Sequence, residues 1–461
     1  MKSAKPSRRS CSSRVCPHRK RFLRPGRLHL RARSHVACTV TVPAQGLRLS
    51  SPPPYSLADA RATAQPRDPG FYRDPYRFYD AVHASAPVFH WENYGHWCFA
   101  GLDDVNALLR DRRFGRQILH VMSREQLGMA PPKPHTAAFD QTEKYSLLTL
   151  EPPAHTRLRK LVNRAFVSRH VEQLRPRIAR LANELIDGFA ADGGTELLKS
   201  FAAPVPAVVI AEMIGLPADM AMQLVAWSNR MVAMYMFGVT HETELDANQA
   251  SIEFMDYVRT MIDERRRQPR EDLLTHMLTS EVDGEKLSEE EVVSTTILLL
   301  NAGHEATVHT TGNGVKAILE SGLDPRSLFA DENQTEATVE ECIRYDAPLH
   351  MFTRYALQDV TLANGRSFKQ GETIGLMLAA ANRDPTRFAH ANRFDPFRTD
   401  GQNVSFGAGI HFCIGAPLAR IEMQVAMRTL FDRLPGLRLA GEPQYRNIYH
   451  FHGLERLDVQ W

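Results

Sequence analysis

The chain has 461 residues, 43% hydrophobic and 24% charged, a globular composition with ample core for one large domain or several average ones. Its net charge of +3 hides an asymmetry, since 13 of the 56 Lys and Arg precede the first acidic residue, Asp59, leaving 43 basic against 53 acidic residues from there on. The body is therefore mildly acidic, which gives no reason to expect nucleic-acid binding. Residues 1–50 are Arg- and Ser-rich, acid-free and lack a sustained apolar run. That composition fits a transit peptide, a disordered basic tail, or an extension upstream of a misplaced translation start, and excludes a secretory signal or membrane anchor there. The six cysteines, Cys11, Cys16, Cys38, Cys98, Cys342 and Cys413, form no CxxC pair, which argues against a disulfide framework or structural zinc and fits a reducing cytoplasm.

Ser51-Pro52-Pro53-Pro54 reads as a linker, with residues 51–461 as the folded domain. Beyond it, 69–82 predicts a short helix, 88–100 a β-hairpin around Asn93-Tyr94-Gly95, and 103–111 a helix. Residues 115–148 show weak periodicity and read as a long flexible region. Helices are expected over 155–167, 170–192, 203–215, 218–237, 244–267, 270–279, 288–320 and 333–345, with breaks at Asp283-Gly284 and at Gly322 with Pro325. Residues 350–381 turn β-like, and Leu418, Ile421, Val425 and Leu430 carry a last helix. The layout is mostly α with a smaller β-rich part, without βαβ alternation or internal repeat.

Before that last helix stands Phe406-Gly407-Ala408-Gly409-Ile410-His411-Phe412-Cys413-Ile414-Gly415-Ala416-Pro417-Leu418-Ala419-Arg420. Taken alone, Cys413 would be a buried structural thiol beside a glycine turn. A thiol at a helix N-terminus also sits among unpaired N–H groups and the positive end of the helix dipole, which favours thiolate. Gly407 and Gly409 permit positive φ or close approach to a flat ligand. The whole string resembles the haem-binding loop of the cytochrome P-450 superfamily, especially its soluble bacterial members.

Four further segments stand in the chain order that the resemblance requires. His155 and Arg159, four apart in Glu151-Pro152-Pro153-Ala154-His155-Thr156-Arg157-Leu158-Arg159, share one helix face. They would be a solvated basic face, but resemble the family's propionate-binding helix. Glu341 and Arg344, spaced i, i+3, resemble its structural E-x-x-R pair, with Arg393 as the expected partner. Arg354, in a strand-like run, resembles its second propionate-binding arginine, so that His155, Arg159, Arg354 and His411 would neutralise a buried dianion. In Leu298-Leu299-Leu300-Asn301-Ala302-Gly303-His304-Glu305-Ala306-Thr307, a glycine inside an apolar helix costs about 1 kcal/mol, so Gly303 is expected to open a groove. Glu305 is a candidate for proton delivery or for a structural salt bridge. The stretch resembles the family's A-G-x-E-T motif with one departure: Ala306 replaces the usual threonine, and Thr307, about 100° further around the helix, cannot supply its hydroxyl.

The resemblance implies a single P-450 fold holding haem b, with Cys413 as axial ligand and Phe406, Gly407 and Gly415 shaping the loop. O2 would lie opposite, beside Gly303 and Ala306, with Glu305 and Thr307 in the same wall. The implied reaction inserts one oxygen atom from O2 into a small or medium apolar organic substrate. No reductase-like region is present, so electrons would come from a ferredoxin and its reductase. The basic run Arg157, Arg159, Lys160, Arg164 and Arg169 reads equally as a docking patch or a solvated face. A peroxide-using or non-oxygenating haem-thiolate enzyme, and a haem-binding sensor or carrier, are the alternatives. The Met-rich residues 220–236 and the loop 115–148 are expected to line or cover the pocket.

Overall fold

The computed structural model describes residues 55–461, apart from 164–165, 167–170, 237 and 283. The expectations for the basic tail, the Ser51–Pro54 linker, Arg164, Arg169 and Asp283 fall outside the described residues. A seven-stranded mixed sheet runs in the order Tyr55–Ala58, Arg61–Ala64, Val88–Trp91, His96–Phe99, Thr373–Leu376, Phe352–Ala356, Phe114–Gly115. The predicted hairpin is its centre, with Val88 opposite Phe99 and Trp91 opposite His96. Strand Thr373–Leu376 then pairs parallel to His96–Phe99 and antiparallel to Phe352–Ala356, placing Ile374 across from Arg354. The first two strands are an addition to the sequence reading. So is the split of the first predicted helix into Pro69–Tyr72 and Tyr76–Ser85, at Asp74-Pro75, where proline ends one element and opens the next. Behind the sheet Phe71, Phe78, Phe89 and Trp91 close an aromatic core.

The larger core is helical and centres on Glu289–Ser321, a 33-residue helix started by a capping box between Ser288 and Glu291 and stopped at Gly322, φ 71°. Around it pack Pro204–Ile214, Ala221–Val232, His241–Arg267, Glu332–Tyr345 and Ala416–Arg433. The predicted flexible stretch 115–148 holds a short 3-10 turn, Pro134–Thr136, and a helix, Ala137–Glu143. The β-like 350–381 segment ends in a helical turn, Leu378–Ala381, rather than in strand. Cys98 and Cys342 are buried thiols that burial pushes up, as inert core cysteines should be. Among the described residues no helix is long and apolar enough to cross a membrane.

Candidate functional site: a thiol at a helix start and a cluster of basic groups

Cys413 lies between a 3-10 turn, Gly409–His411, and the helix Ala416–Arg433. Its N–H donates to Phe406 O at 2.9 Å, and Gly407 N–H to Val404 O at 2.8 Å, which folds the loop back on itself. Gly407 and Gly409 take φ of 69° and 72°, and a β-carbon on Gly409 would stand 2.6 Å from Leu109 O. Only glycine fits there. A β-carbon on Gly415 would lie in ordinary contact with Cys413 Sγ, at 3.9 Å. Arg420 stacks over the Phe406 ring at 4.5 Å.

Cys413 is half-buried as a residue, with its thiol deep in the protein. Burial pushes it above the usual thiol range; the N–H groups of Gly415 and Ala416 and the charges of Arg159 and Arg420 pull it back, by less. The helix start thus acts in the expected direction without outweighing desolvation. A cation bound to the sulfur would supply what is missing.

His155 and Arg159 come from one face of the helix Ala154–Asn163, and both reach this loop. Arg159 Nη2 donates to Phe412 O at 2.6 Å, and the His155 ring lies 4.6 Å from that of His411. His155 Nε2 and His411 Nδ1 are buried without a partner among the described residues. Burial, then His411, lowers His155 to about 4. Arg354, 2% exposed, has one acceptor, its neighbour Thr353 O at 2.9 Å. Burial, then Arg116, brings its guanidinium down to about 9. Two residues outside the sequence reading belong here. Glu151 accepts from Arg116 N–H at 2.5 Å and meets His411 Nε2 at 3.3 Å; Arg116 stands beside Arg354. Glu151 opens the quoted helix segment without a role assigned to it, and nothing in the local sequence marks Arg116, because the sheet brings it into place through the pairing of Gly115 with Tyr355.

The E-x-x-R pair is a buried knot. Arg344 Nε and Nη2 meet Glu341 Oε2 and Oε1 at 2.7 and 2.8 Å, and Arg344 Nη1 donates to Asn382 O and Ala391 O at 2.8 and 2.9 Å. The partner is not the Arg393 side chain, which turns outward to Asp395; Arg398 Nε takes Glu341 Oε2 at 2.9 Å. Arg393 contributes only its carbonyl, 3.2 Å from Arg344 Nη2.

Across the long helix the structure gives Gly303 a different job from the groove expected of it. A β-carbon there would stand 2.9 Å from Ile210 Cγ1, so the missing side chain allows close packing against Pro204–Ile214. The open face belongs to Ala302, exposed beside buried Asn301 and half-buried Gly303, and to Ala306 one turn on, half-buried. Thr307 is buried, off that face. Glu305 is 6% exposed; Arg446 Nη1 and His309 Nε2 approach its Oε1 at 3.3 and 3.6 Å, while Oε2 is unpartnered. Burial pushes this carboxyl up, and the His309 bond with the charges of His309, His304 and Arg446 more than offsets it. A separate cleft of about 250 Å³ is bordered by Tyr235, Met236, Ile448 and His450, and none of its lining residues belongs to the Cys413 loop.

A half-buried thiol at a helix start, beside His155, Arg159 and Arg354, which have no ion-pair partner among the described residues, is the donor set that an iron macrocycle with two carboxylates requires. The chain belongs to the cytochrome P450 family: the profile described as Cytochrome P450 matches residues 118–320 and 333–435. It is thus an oxidoreductase of the monooxygenase class, in a family that carries haem. It is 35% identical over 405 residues to the polyketide biosynthesis cytochrome P450 PksS of Bacillus subtilis, covering 86% of this chain and 97% of that protein. Cytochrome P450 monooxygenase PikC of Streptomyces venezuelae is 35% identical over 401 residues, 85% of this chain and 92% of that one. Among solved structures, P450BioI in complex with a hexadec-9Z-enoic acid-ligated acyl carrier protein superposes with a TM-score of 0.78 at 32% identity, covering 85% of this chain and 99% of that chain.

Proposed function

We propose that Cys413 is the axial thiolate of haem b and that the protein inserts one oxygen atom from O2 into a C–H or C=C bond of a small or medium apolar organic substrate. The observation that carries this reading is the half-buried Cys413 at the start of the helix Ala416–Arg433, with His155 Nε2 and His411 Nδ1 unpartnered among the described residues and Arg159 bonded to the Cys413 loop. When bound, haem iron with a thiolate ligand supplies oxygen activation. The chain's own residues do the rest. His155, His411 and Arg354 hold the propionates, and Arg159 steadies the loop through Phe412 O while adding its charge. Phe406, Gly407 and Gly415 shape the loop around the sulfur.

On the opposite side Ala302 and Ala306 offer no hydroxyl. Proton supply therefore falls to Glu305, whose free Oε2 holds or passes a proton while Oε1 stays anchored by Arg446 and His309, completed by water or a substrate hydroxyl. Separate electron donors, a ferredoxin and its reductase, act in the cytoplasm. The absent hydroxyl at position 306 favours one second reading, a peroxide-using haem-thiolate enzyme. Product formation with O2, ferredoxin and reductant, and little with peroxide alone, selects the first reading; the reverse selects the second. Cys413→Ser is expected to abolish the thiolate-type spectrum of the reduced carbon-monoxide complex. Retention of that spectrum overturns the assignment.

A further inference from the structure

Arg116 follows the short strand Phe114–Gly115, which pairs antiparallel with Phe352–Ala356. That pairing sets Arg116 beside Arg354. Arg354 Nη1 donates to Thr353 O at 2.9 Å, and Arg116 Nη1 reaches the same carbonyl at 3.4 Å. Both guanidinium carbons flank the Phe352 ring, 5.6 and 5.9 Å from its centroid. The remaining side-chain acceptor of Arg116 is another neutral carbonyl, Leu148 O at 3.0 Å.

Neither guanidinium has an ion-pair partner among the described residues. The carboxylates that act on them do so from further off and are engaged. Glu151 Oε1 is taken by the Arg116 N–H and by His411. Glu143 bonds to Tyr235, and burial raises its carboxyl to about 7, so it is only partly charged at neutral pH. Burial lowers both arginines from the usual guanidinium range. Two desolvated like charges sharing one carbonyl are strongly unfavourable unless an anion joins them. Two planar forks side by side suit a carboxylate.

We propose that Arg116 and Arg354 form a carboxylate-binding pair, filled by a propionate of haem or by an acid group of the substrate. The first source rests on the haem reading above. The second follows from position, since the charge of Arg116 also reaches Tyr235 and His450 on the cleft wall.

The test uses holoenzyme of the wild type, Arg116→Gln and Arg116→Lys. Wild-type haem content and the reduced carbon-monoxide spectrum are recorded first, so that failure of the haem reading registers separately. A propionate occupant predicts that Arg116→Gln loses haem to excess apomyoglobin about tenfold faster, with shifted propionate-bending bands in resonance Raman spectra. The preference for dodecanoic acid over its methyl ester, read by spectral titration, then stays unchanged. A substrate occupant predicts normal haem retention and an about tenfold loss of that preference. Arg116→Lys keeps the charge without the fork and is expected to fall between; it carries the same readouts if the glutamine variant does not fold. Haem loss, Raman bands and acid preference all matching wild type in the folded variants overturn the proposal.

Discussion

At position 303 an added methyl would meet Ile210 Cγ1 at 2.9 Å and Cδ1 at 3.3 Å. Alanine is the better helix former by about 1 kcal/mol, which offsets part of the clash. Gly303→Ala is nonetheless expected to destabilise the fold by a net of about 1–2 kcal/mol, because two long helices must separate or Ile210 must leave its rotamer. Urea unfolding of Gly303→Ala, Ile210→Ala and the double variant checks this. The glycine change should cost markedly less once Ile210 is truncated, a coupling that additive behaviour would refute. The sequence predicts a purpose for this glycine but not which side of the helix it serves. Spacing alone does not say which neighbour comes close, whereas the exposure of Ala302 and Ala306 in the folded chain does.

Among elements, those with strong periodicity and end signals were legible, and those defined by distant pairing were not. The long helix announces itself by Ser288 three residues before Glu291 and by Gly322 at its end. The strands Tyr55–Ala58 and Arg61–Ala64 do not, being four residues each and dependent on the later Val88–Trp91 for their place in the sheet. The same division runs through the site. Glu341 and Arg344 are visible as an i, i+3 pair, but the third member lies on the irregular segment around Pro396, where no period fixes a side chain's direction. That segment turns Arg398 inward, 11% exposed at its side chain, and Arg393 outward, 65%. Removing the shared carboxylate strands a buried charge: Glu341→Ala leaves Arg344 without its ion-pair partner, while Arg398 keeps Asp400 Oδ1 at 2.8 Å, and is expected to cost about 3–5 kcal/mol. Arg398→Ala leaves the Glu341–Arg344 bonds intact and should cost less. Arg393→Ala, whose carbonyl survives the change, should stay within about 0.5 kcal/mol of wild type. Thermal unfolding with haem content as a second signal ranks the three, and equal losses at 393 and 398 would contradict the knot described here.

At the scale of the whole molecule, buried carboxyls tie stability to pH in opposite senses. Asp346 is held well below the carboxylate range: burial alone would raise it, but His452, with Lys316 and the Tyr76 hydroxyl, overrides that. A depressed group contributes stability that is present above its unfolded value and lost as pH falls through the folded one, so Asp346 acts in strong acid. Glu143 works the other way. It closes the helix Ala137–Glu143, and burial raises it from 4.5 to about 7 against the smaller pull of its bond to Tyr235 and of Arg116. The folded state therefore binds this proton more tightly than the unfolded chain. Its contribution is full below about pH 4.5 and is lost as pH rises through about 7. Glu143→Gln removes the titration while keeping an acceptor for Tyr235. Relative to wild type the variant should gain stability between about pH 4.5 and pH 7, by about 3 kcal/mol at most, with the difference flat on either side of that window. Paired urea titrations across the range decide it. A difference that does not grow with pH would mean that the Glu143 carboxylate already has its countercharge, with Arg116 the cation placed to supply it.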